Sequence, residues 1–132
     1  MHASQLMKLS SINNSLDAYQ YLKNRLRSPV EEIWVVCLHS NNKIIRSRCV
    51  FRGSVNFCNY HPRDIFRYTC LSNASKFILA HNHPSGESTP SFKDIEMTKK
   101  IKQISEIMDI PFIDHIICAK KDYYSFADNG WL

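Results

Sequence analysis

The chain has 132 residues, of which 44% are hydrophobic and 22% charged, and its formal net charge at pH 7 is +5. This length and hydrophobic content suit one globular domain with a real core, and they exclude a disordered or collagen-like chain. Its apolar runs are shorter than the ~18 residues that a membrane span needs, and the N-terminus lacks the apolar segment of a secretory signal, so we expect a cytoplasmic protein.

The first part of the chain predicts a helix followed by a β-hairpin. Residues 1–14 are polar and irregular, which predicts a flexible arm. Ser15 is a suitable N-cap for a helix that Ser28-Pro29 would end. Its apolar positions recur at helical spacing and are Leu16, Tyr19, Leu22 and Leu26.

The hairpin is predicted from two segments rich in β-branched residues. "EEIWVVCLHS" indicates a buried strand, and "IIRSRCVF" indicates the returning strand. Between them, Asn41 and Asn42 both suit the positive φ angles of a tight turn.

The rest of the chain predicts two helices alternating with three strands. After a connection over residues 53–60, Pro62 suits the first turn of a helix whose apolar face is Ile65, Phe66, Thr69 and Cys70. "KFILA" predicts a strand that runs into His81. Ser91 is a suitable N-cap for an amphipathic helix whose apolar stripe is Met97, Ile101, Ile104 and Met108.

"PFIDHIICA" and "YYSF" predict the last two strands. The order of elements predicts an α/β fold in which helices flank a mixed, mostly antiparallel sheet, and we expect a single domain over residues 1–132.

The cysteines predict reduced thiols rather than disulfides or metal ligands. They are odd in number, widely spaced and without a CxxC pair: Cys37, Cys49, Cys58, Cys70 and Cys118. The basic segment "KIIRSRCVFR" has two interpretations. Its alternation favours the solvated face of a strand, and a nucleic-acid-binding surface is the alternative.

The segment "HNHPSG" places His81 and His83 two residues apart, so on a strand both side chains project from one face. Asp94 lies three residues after the predicted N-cap Ser91, in the first turn of a helix. A strand, loop and helix arranged this way can bring Asp94 to the two histidines, and two histidines plus a carboxylate form a catalytic zinc site. The alternatives are a packed or exposed histidine pair and an aspartate that only caps the helix.

The full string "HNHPSGESTPSFKD" resembles the JAMM signature HxHPxxxxxxSxxD of the JAB/MPN metallopeptidase superfamily. It is also similar to the more particular HNHPSGxxxPSxxD of the RadC family. "FRGS", "HPRDIF" and "DHIIC" resemble further RadC segments in the same order, so the resemblance runs from about Glu31 to Phe126. It implies the three-layer sandwich that JAB/MPN domains share with cytidine deaminases.

The resemblance also implies residue roles. His81, His83 and Asp94 would bind zinc (Zn2+), and the Ser91 hydroxyl would stabilise an oxyanion. The general base would be a glutamate that opens an earlier strand. Strand alternation lets only one glutamate of the pair at 31 and 32 face the metal, and the family pattern favours Glu31 over Glu32.

Three functions follow from the resemblance. The first is a zinc hydrolase whose substrate is a peptide, an isopeptide or a related amide. The others are a catalytically silent metal-binding module and a DNA-associated member of this DNA repair family. Longer RadC proteins carry an N-terminal helix-hairpin-helix region, and residues 1–30 contain no such pattern. Among the remaining histidines, His115 is a candidate to support the site, whereas we expect His39 and His61 to be peripheral.

Overall fold

A five-stranded sheet runs through the centre of the computed structural model, which describes residues 9–53 and 60–132. Cys58 and most of the predicted connection after Gly53 lie outside the described residues, as do residues 1–8. The strand order is β2-β1-β3-β4-β5, and only β3 and β4 are parallel. The strands are β1 (Glu32–Leu38), β2 (Ile44–Arg52), β3 (Lys76–Asn82), β4 (Phe112–Cys118) and β5 (Tyr123–Ser125).

Three described helices cover the two faces of this sheet: α1 (Ser15–Leu22), α2 (Pro62–Leu71) and α3 (Phe92–Met108). α2 and α3 pack on one face through a core cluster that includes Phe66, Met97 and Val35. α1 packs on the other face, where Leu22 meets Val36. Because successive strand residues serve opposite faces, the central strands are apolar at nearly every position. The predicted mixed, mostly antiparallel sheet between helices is confirmed.

The predicted flexible arm is wrong over residues 9–14. Ser11 forms a β-bridge with Lys43, and the Ile12 amide donates to the Asn42 carbonyl at 3.0 Å. The Ile12 side chain is buried against the α1 face of the sheet. Residues 9–14 are ordered because the hairpin supplies hydrogen-bond partners for their backbone and an apolar surface on which Ile12 packs.

Helix α1 differs from its prediction at both ends. Asn14, not Ser15, is the N-cap, and its side chain accepts from the Asp17 amide at 2.8 Å. The helix ends at Leu22, before the predicted stop at Ser28-Pro29. Leu16 is 49% exposed because it lies on the side of the helix opposite the buried Ala18.

Smaller differences affect the hairpin and the other helices. Only Asn42 of the predicted pair has a positive φ, at 72°. Cys70 is exposed, and Tyr68 is buried with Ile65, Phe66 and Thr69 instead. Met108 is 40% exposed since it is the last residue of α3, whereas Met97 and Ile101 are buried as predicted.

Among the described residues, no helix combines the length and apolar character that crossing a membrane requires.

Candidate metal centre

The end of β3 turns two histidines to the same side of the sheet. His81 lies opposite Ile33 of β1, and the His83 amide donates to the Cys118 carbonyl at 3.1 Å, so extended pairing continues to His83. His81 is fully buried and His83 is half-buried. The predicted common face of the two imidazoles is confirmed.

Asn82, between the histidines, points to the other face and binds the chain that leads into β1. Its side-chain oxygen accepts from the Glu32 amide at 2.7 Å. Its side-chain nitrogen donates to the carbonyls of Ser28 and Val30 at 3.1 and 3.0 Å. The start of β1 is thereby attached to the strand that carries the histidines.

Helix α3 brings Asp94 to the histidines through its first turn. Ser91 is the N-cap as predicted: its hydroxyl accepts from the Asp94 amide at 3.1 Å, and the Asp94 carboxylate accepts from the Ser91 amide at 2.8 Å. The same carboxylate, 2% exposed, has its Oδ1 3.1 Å from His81 Nε2 and its Oδ2 3.2 Å from His83 Nε2. Asp94 therefore both caps the helix and joins the histidine pair.

The hydrogen bonds behind the histidines fix which ring nitrogen of each carries a proton. His83 Nδ1 lies 2.8 Å from the Glu87 carbonyl, which can only accept, so Nδ1 is protonated. Thr98 Oγ1 donates to the Asp94 carbonyl at 2.9 Å, which leaves it to accept from His115 Nδ1 at 2.6 Å. His115 Nε2 must then accept from His81 Nδ1 at 2.8 Å. In their neutral forms, His81 and His83 therefore carry the proton on Nδ1 and present the Nε2 lone pair to Asp94.

This donor set fits a divalent metal ion. His81 Nε2 and His83 Nε2 are 2.9 Å apart, and two facing lone pairs at that distance repel unless a proton or a cation lies between them. Ligand atoms around a tetrahedral zinc with bonds of 2.0–2.1 Å are about 3.3 Å apart, close to the separations in this group. Nitrogen and carboxylate donors are the types that zinc prefers. His81, His83 and Asp94 could thus hold a metal ion.

The electrostatics of the group favour positive charge at the same point. Burial acts to raise the pKa of Asp94, but His81 and His83, which donate hydrogen bonds to its carboxylate when they are also protonated at Nε2, outweigh burial and hold that pKa well below its usual range. Burial acts to lower the pKa of His83, but Asp94, with smaller effects of the Glu87 carbonyl and the Glu31 carboxylate, raises it. Burial and the neighbouring His81 lower the pKa of His115, which stays neutral.

The two candidate glutamates lie on opposite sides of β1. Glu32, 5% exposed, accepts from Trp34 Nε1 at 3.0 Å and pairs with Arg52 at 2.8 Å on the α1 face. Glu31 directly precedes the strand, and by alternation it shares a side with Ile33, the residue opposite His81. Its charge contributes to the raised pKa of His83. Glu31, rather than Glu32, is therefore on the side of the site.

The residues that support the site were only partly found from sequence. His115, considered as a supporting residue, contacts His81 directly. Thr98 was missed, although a residue four positions after Asp94 lies on the same helix face. Phe126, fully buried, stacks on His115 with ring centroids 4.6 Å apart, and no local pattern indicates this contact. His39 and His61 are exposed, and neither belongs to the group that could hold a metal ion.

Comparison with known families gives a match over most of the chain. Residues 12–131 match the model of the RadC-like JAB domain. The match includes the described arm residues from Ile12 onward, together with every strand and helix above.

Curated bacterial proteins resemble the chain over most of its length. It is 44% identical to the UPF0758 protein of Histophilus somni (strain 2336) over 113 residues, which are 85% of this chain and 51% of that protein. It is 37% identical to the UPF0758 protein of Actinobacillus succinogenes over 98% of this chain and 60% of that protein. The UPF0758 protein of Thermotoga maritima is 35% identical over 92% of this chain and 54% of its own length. The chain thus spans about half the length of the curated relatives it matches.

Proposed function

The chain belongs to the RadC-like JAB domain family, and from this membership we propose that it is a zinc-dependent metallohydrolase of the JAMM type. The JAB superfamily includes metallohydrolases. The observation that carries the proposal is the convergence of His81 Nε2, His83 Nε2 and the Asp94 carboxylate on one point. The reaction we propose is hydrolysis of a peptide, isopeptide or related amide bond.

His81, His83 and Asp94 are the residues that would hold the zinc. When bound in such a set, zinc polarises a carbonyl and makes water more acidic near neutral pH. Three protein ligands leave a fourth position open to solvent or substrate, which distinguishes a catalytic site from a structural one. The half-buried His83 is consistent with access from one side.

Glu31 would be the general base. It would take a proton from the attacking water and deliver it to the departing amine. Its position on the side of His81 and its effect on the pKa of His83 support this role. Glu32 is the poorer candidate because its carboxylate is already bonded to Arg52 and Trp34.

Ser91 would donate a hydrogen bond to the oxyanion that forms during amide hydrolysis. Its hydroxyl oxygen accepts from the Asp94 amide, so its hydrogen is left for another partner. The residue is exposed at the N-terminus of α3, where the helix dipole also favours negative charge.

The basic strand gives less support to a DNA-associated function. Arg52 is paired with Glu32, and Arg46 lies over the Tyr68 ring at 4.8 Å while donating to the Ser72 hydroxyl at 2.7 Å. These arginines serve contacts within the protein. Free thiols at Cys37, Cys49, Cys70 and Cys118 are consistent with the cytoplasmic location that we propose.

A cleavage assay tests the proposed hydrolase activity directly. Zinc-loaded protein is incubated with a pool of linear and isopeptide-linked peptides, and the products are analysed by mass spectrometry. We expect new peptide termini that disappear after chelation and in His81→Ala. A protein that binds zinc stoichiometrically and cleaves neither kind of peptide would instead be a silent metal-binding module.

A further inference from the structure

A basic cleft lies beside the candidate metal centre, where the parallel strands β3 and β4 end. Its cavity volume is about 570 Å3, within the range of ligand-binding pockets. One wall is the end of α1 and the segment after it, with Lys23 and Arg27; the other is the turn after β4, with Lys120. The cleft reaches His83, one of the three candidate ligands.

The residues that line this cleft include three basic side chains and no carboxylate, and Asp122 exerts an acidic influence on Tyr19 of the lining. Lys23, Arg27 and Lys120 are exposed, and none of them has a carboxylate within ion-pair distance among the described residues. The buried Cys118 on the floor adds no negative charge, because burial raises its pKa to about 12. Asp122 is the acidic residue of the adjoining turn, and it accepts a hydrogen bond from the Ser88 hydroxyl.

The wall that carries Lys23 and Arg27 is fixed relative to the site. The Asn82 side chain donates to the carbonyls of Ser28 and Val30, directly after Arg27. On the inner side, Tyr19 stacks on Tyr123 with centroids 4.7 Å apart, and Lys23 Nζ lies 5.9 Å from the Tyr19 ring. Lys23 and Arg27 therefore belong to a segment that hydrogen bonds hold in place next to the histidine pair.

From this arrangement we propose that the cleft binds an acidic segment of a peptide substrate, next to the amide bond that is cleaved. The inference rests on the proposed function, since it places the scissile bond at His81, His83 and Asp94. Cations that line one concave site raise the local concentration of an anionic ligand. A short peptide fits the compact cavity better than a nucleic acid strand, which needs an extended basic groove with aromatic residues free for base stacking. Tyr19, the aromatic residue of the lining, is already stacked on Tyr123.

Binding of fluorescein-labelled hexaglutamate, followed by anisotropy at low salt, tests the cleft without requiring cleavage. The cleft variant is Lys23→Gln, Arg27→Gln and Lys120→Gln. Its matched control, Arg63→Gln, Lys100→Gln and Lys102→Gln, removes three exposed positive charges elsewhere. We expect the cleft variant to bind ~10-fold more weakly and the control to stay within about twofold of the wild-type protein.

The proposal would be overturned if hexaglutamate affinity fell equally in both variants, or if it did not fall in the cleft variant. A labelled thymidine hexanucleotide tests the nucleic-acid alternative. If it bound more tightly than hexaglutamate and lost this binding in the cleft variant, the cleft would be a nucleic-acid site and the peptide proposal would be overturned. The two proposals can fail separately. Cleft-dependent binding without any peptide cleavage contradicts the hydrolase alone, and cleavage that is equally fast for acidic and neutral peptides and unchanged in the cleft variant contradicts the cleft alone.

Discussion

Thr98 and His115 share a hydrogen bond of 2.6 Å between Thr98 Oγ1 and His115 Nδ1, directly behind the candidate metal centre. The hydroxyl proton of Thr98 is committed to the Asp94 carbonyl, so the bond runs from histidine to threonine. Through His115, this one hydroxyl favours a proton on Nδ1 of His81, the ring nitrogen that points away from Asp94. A residue of α3 thus sets the protonation of a residue of β3.

Thr98→Val removes this hydroxyl with little change in shape, and we expect zinc affinity to fall ~10–100-fold. The reason is that His115 loses the partner of its Nδ1–H and no longer holds His81 in the metal-binding tautomer. Competition with a chromogenic chelator measures the affinity. Thr98→Ser is the control, because it keeps the hydroxyl and should restore binding to within a few fold of the wild type. Unchanged affinity in Thr98→Val would show that the tautomer is set by other contacts.

We expect one zinc ion per chain. Two neutral imidazoles and a carboxylate supply the charge and donor types that zinc requires, and each must be deprotonated at its ligand atom. Metal analysis after zinc loading and dialysis should give about one equivalent for the wild type and less than about a tenth for the His81→Ala, His83→Ala double variant. Full occupancy in that double variant would place the metal elsewhere.

Glu31→Gln should keep zinc bound and reduce hydrolysis by ~10²–10⁴, the usual contribution of a positioned proton-transfer group. Glu31 is outside the three-residue ligand group, so its charge is not needed for binding. Steady-state rates on a peptide that the protein cleaves, with zinc content measured on the same sample, test this.

Glu32→Gln is the matched variant and should behave in the opposite way. Its cost is structural, because the buried carboxylate pairs with Arg52 and accepts from Trp34. We expect a lower Tm with much less effect on the rate. A large loss of rate in Glu32→Gln with full activity in Glu31→Gln would identify Glu32 as the base.

The buried thiol of Cys118 should make the protein less stable at alkaline pH. Burial raises its pKa from an ordinary value of 9.0 to about 12 in the folded protein, so the neutral thiol is favoured by folding. The stabilisation is complete below about pH 9 and is lost as the pH rises towards 12, because only the unfolded chain ionises easily. Between pH 8 and 10 the free energy of unfolding should fall by about 1.4 kcal/mol from this group.

Urea unfolding of the wild type and Cys118→Ala at the two pH values measures this contribution. The variant should start less stable, since a buried side chain is truncated, and it should lose about 1.4 kcal/mol less over the interval. Parallel pH profiles for the two proteins would contradict the assignment to Cys118.

The sequence predicted best those features that depend on residues near one another in the chain. His81 and His83 share a face because strand residues alternate, and Asp94 lies in the first turn because Ser91 caps the helix. The placement of Asp94 against the histidines followed from the motif, which spans only residues 81–94. Local periodicity and caps therefore account for most of the candidate site.

Features that depend on distant partners were missed. Ile12 is buried only because the hairpin at Asn42 is already formed beside it, so its polar surroundings in the sequence were misleading. Phe126 lies far along the chain from the histidine motif and still packs on His115. No helical or strand period encodes such contacts, since they arise when separate elements meet.

The side-chain amide of Asn82 restricts the register in which β1 can pair with β3. Both faces of β1 carry buried apolar residues such as Val35 and Val36, so a slip of one residue would still bury an apolar strand. That slip would exchange the two glutamates, turning Glu32 to the histidines and Glu31 away. The bond from the Glu32 amide to Asn82 is specific to one alignment, because the neighbouring positions of the strand ladder offer no side-chain amide to receive it. The bond to Asn82 therefore fixes the alignment in which Glu31, rather than Glu32, is on the side of the histidines.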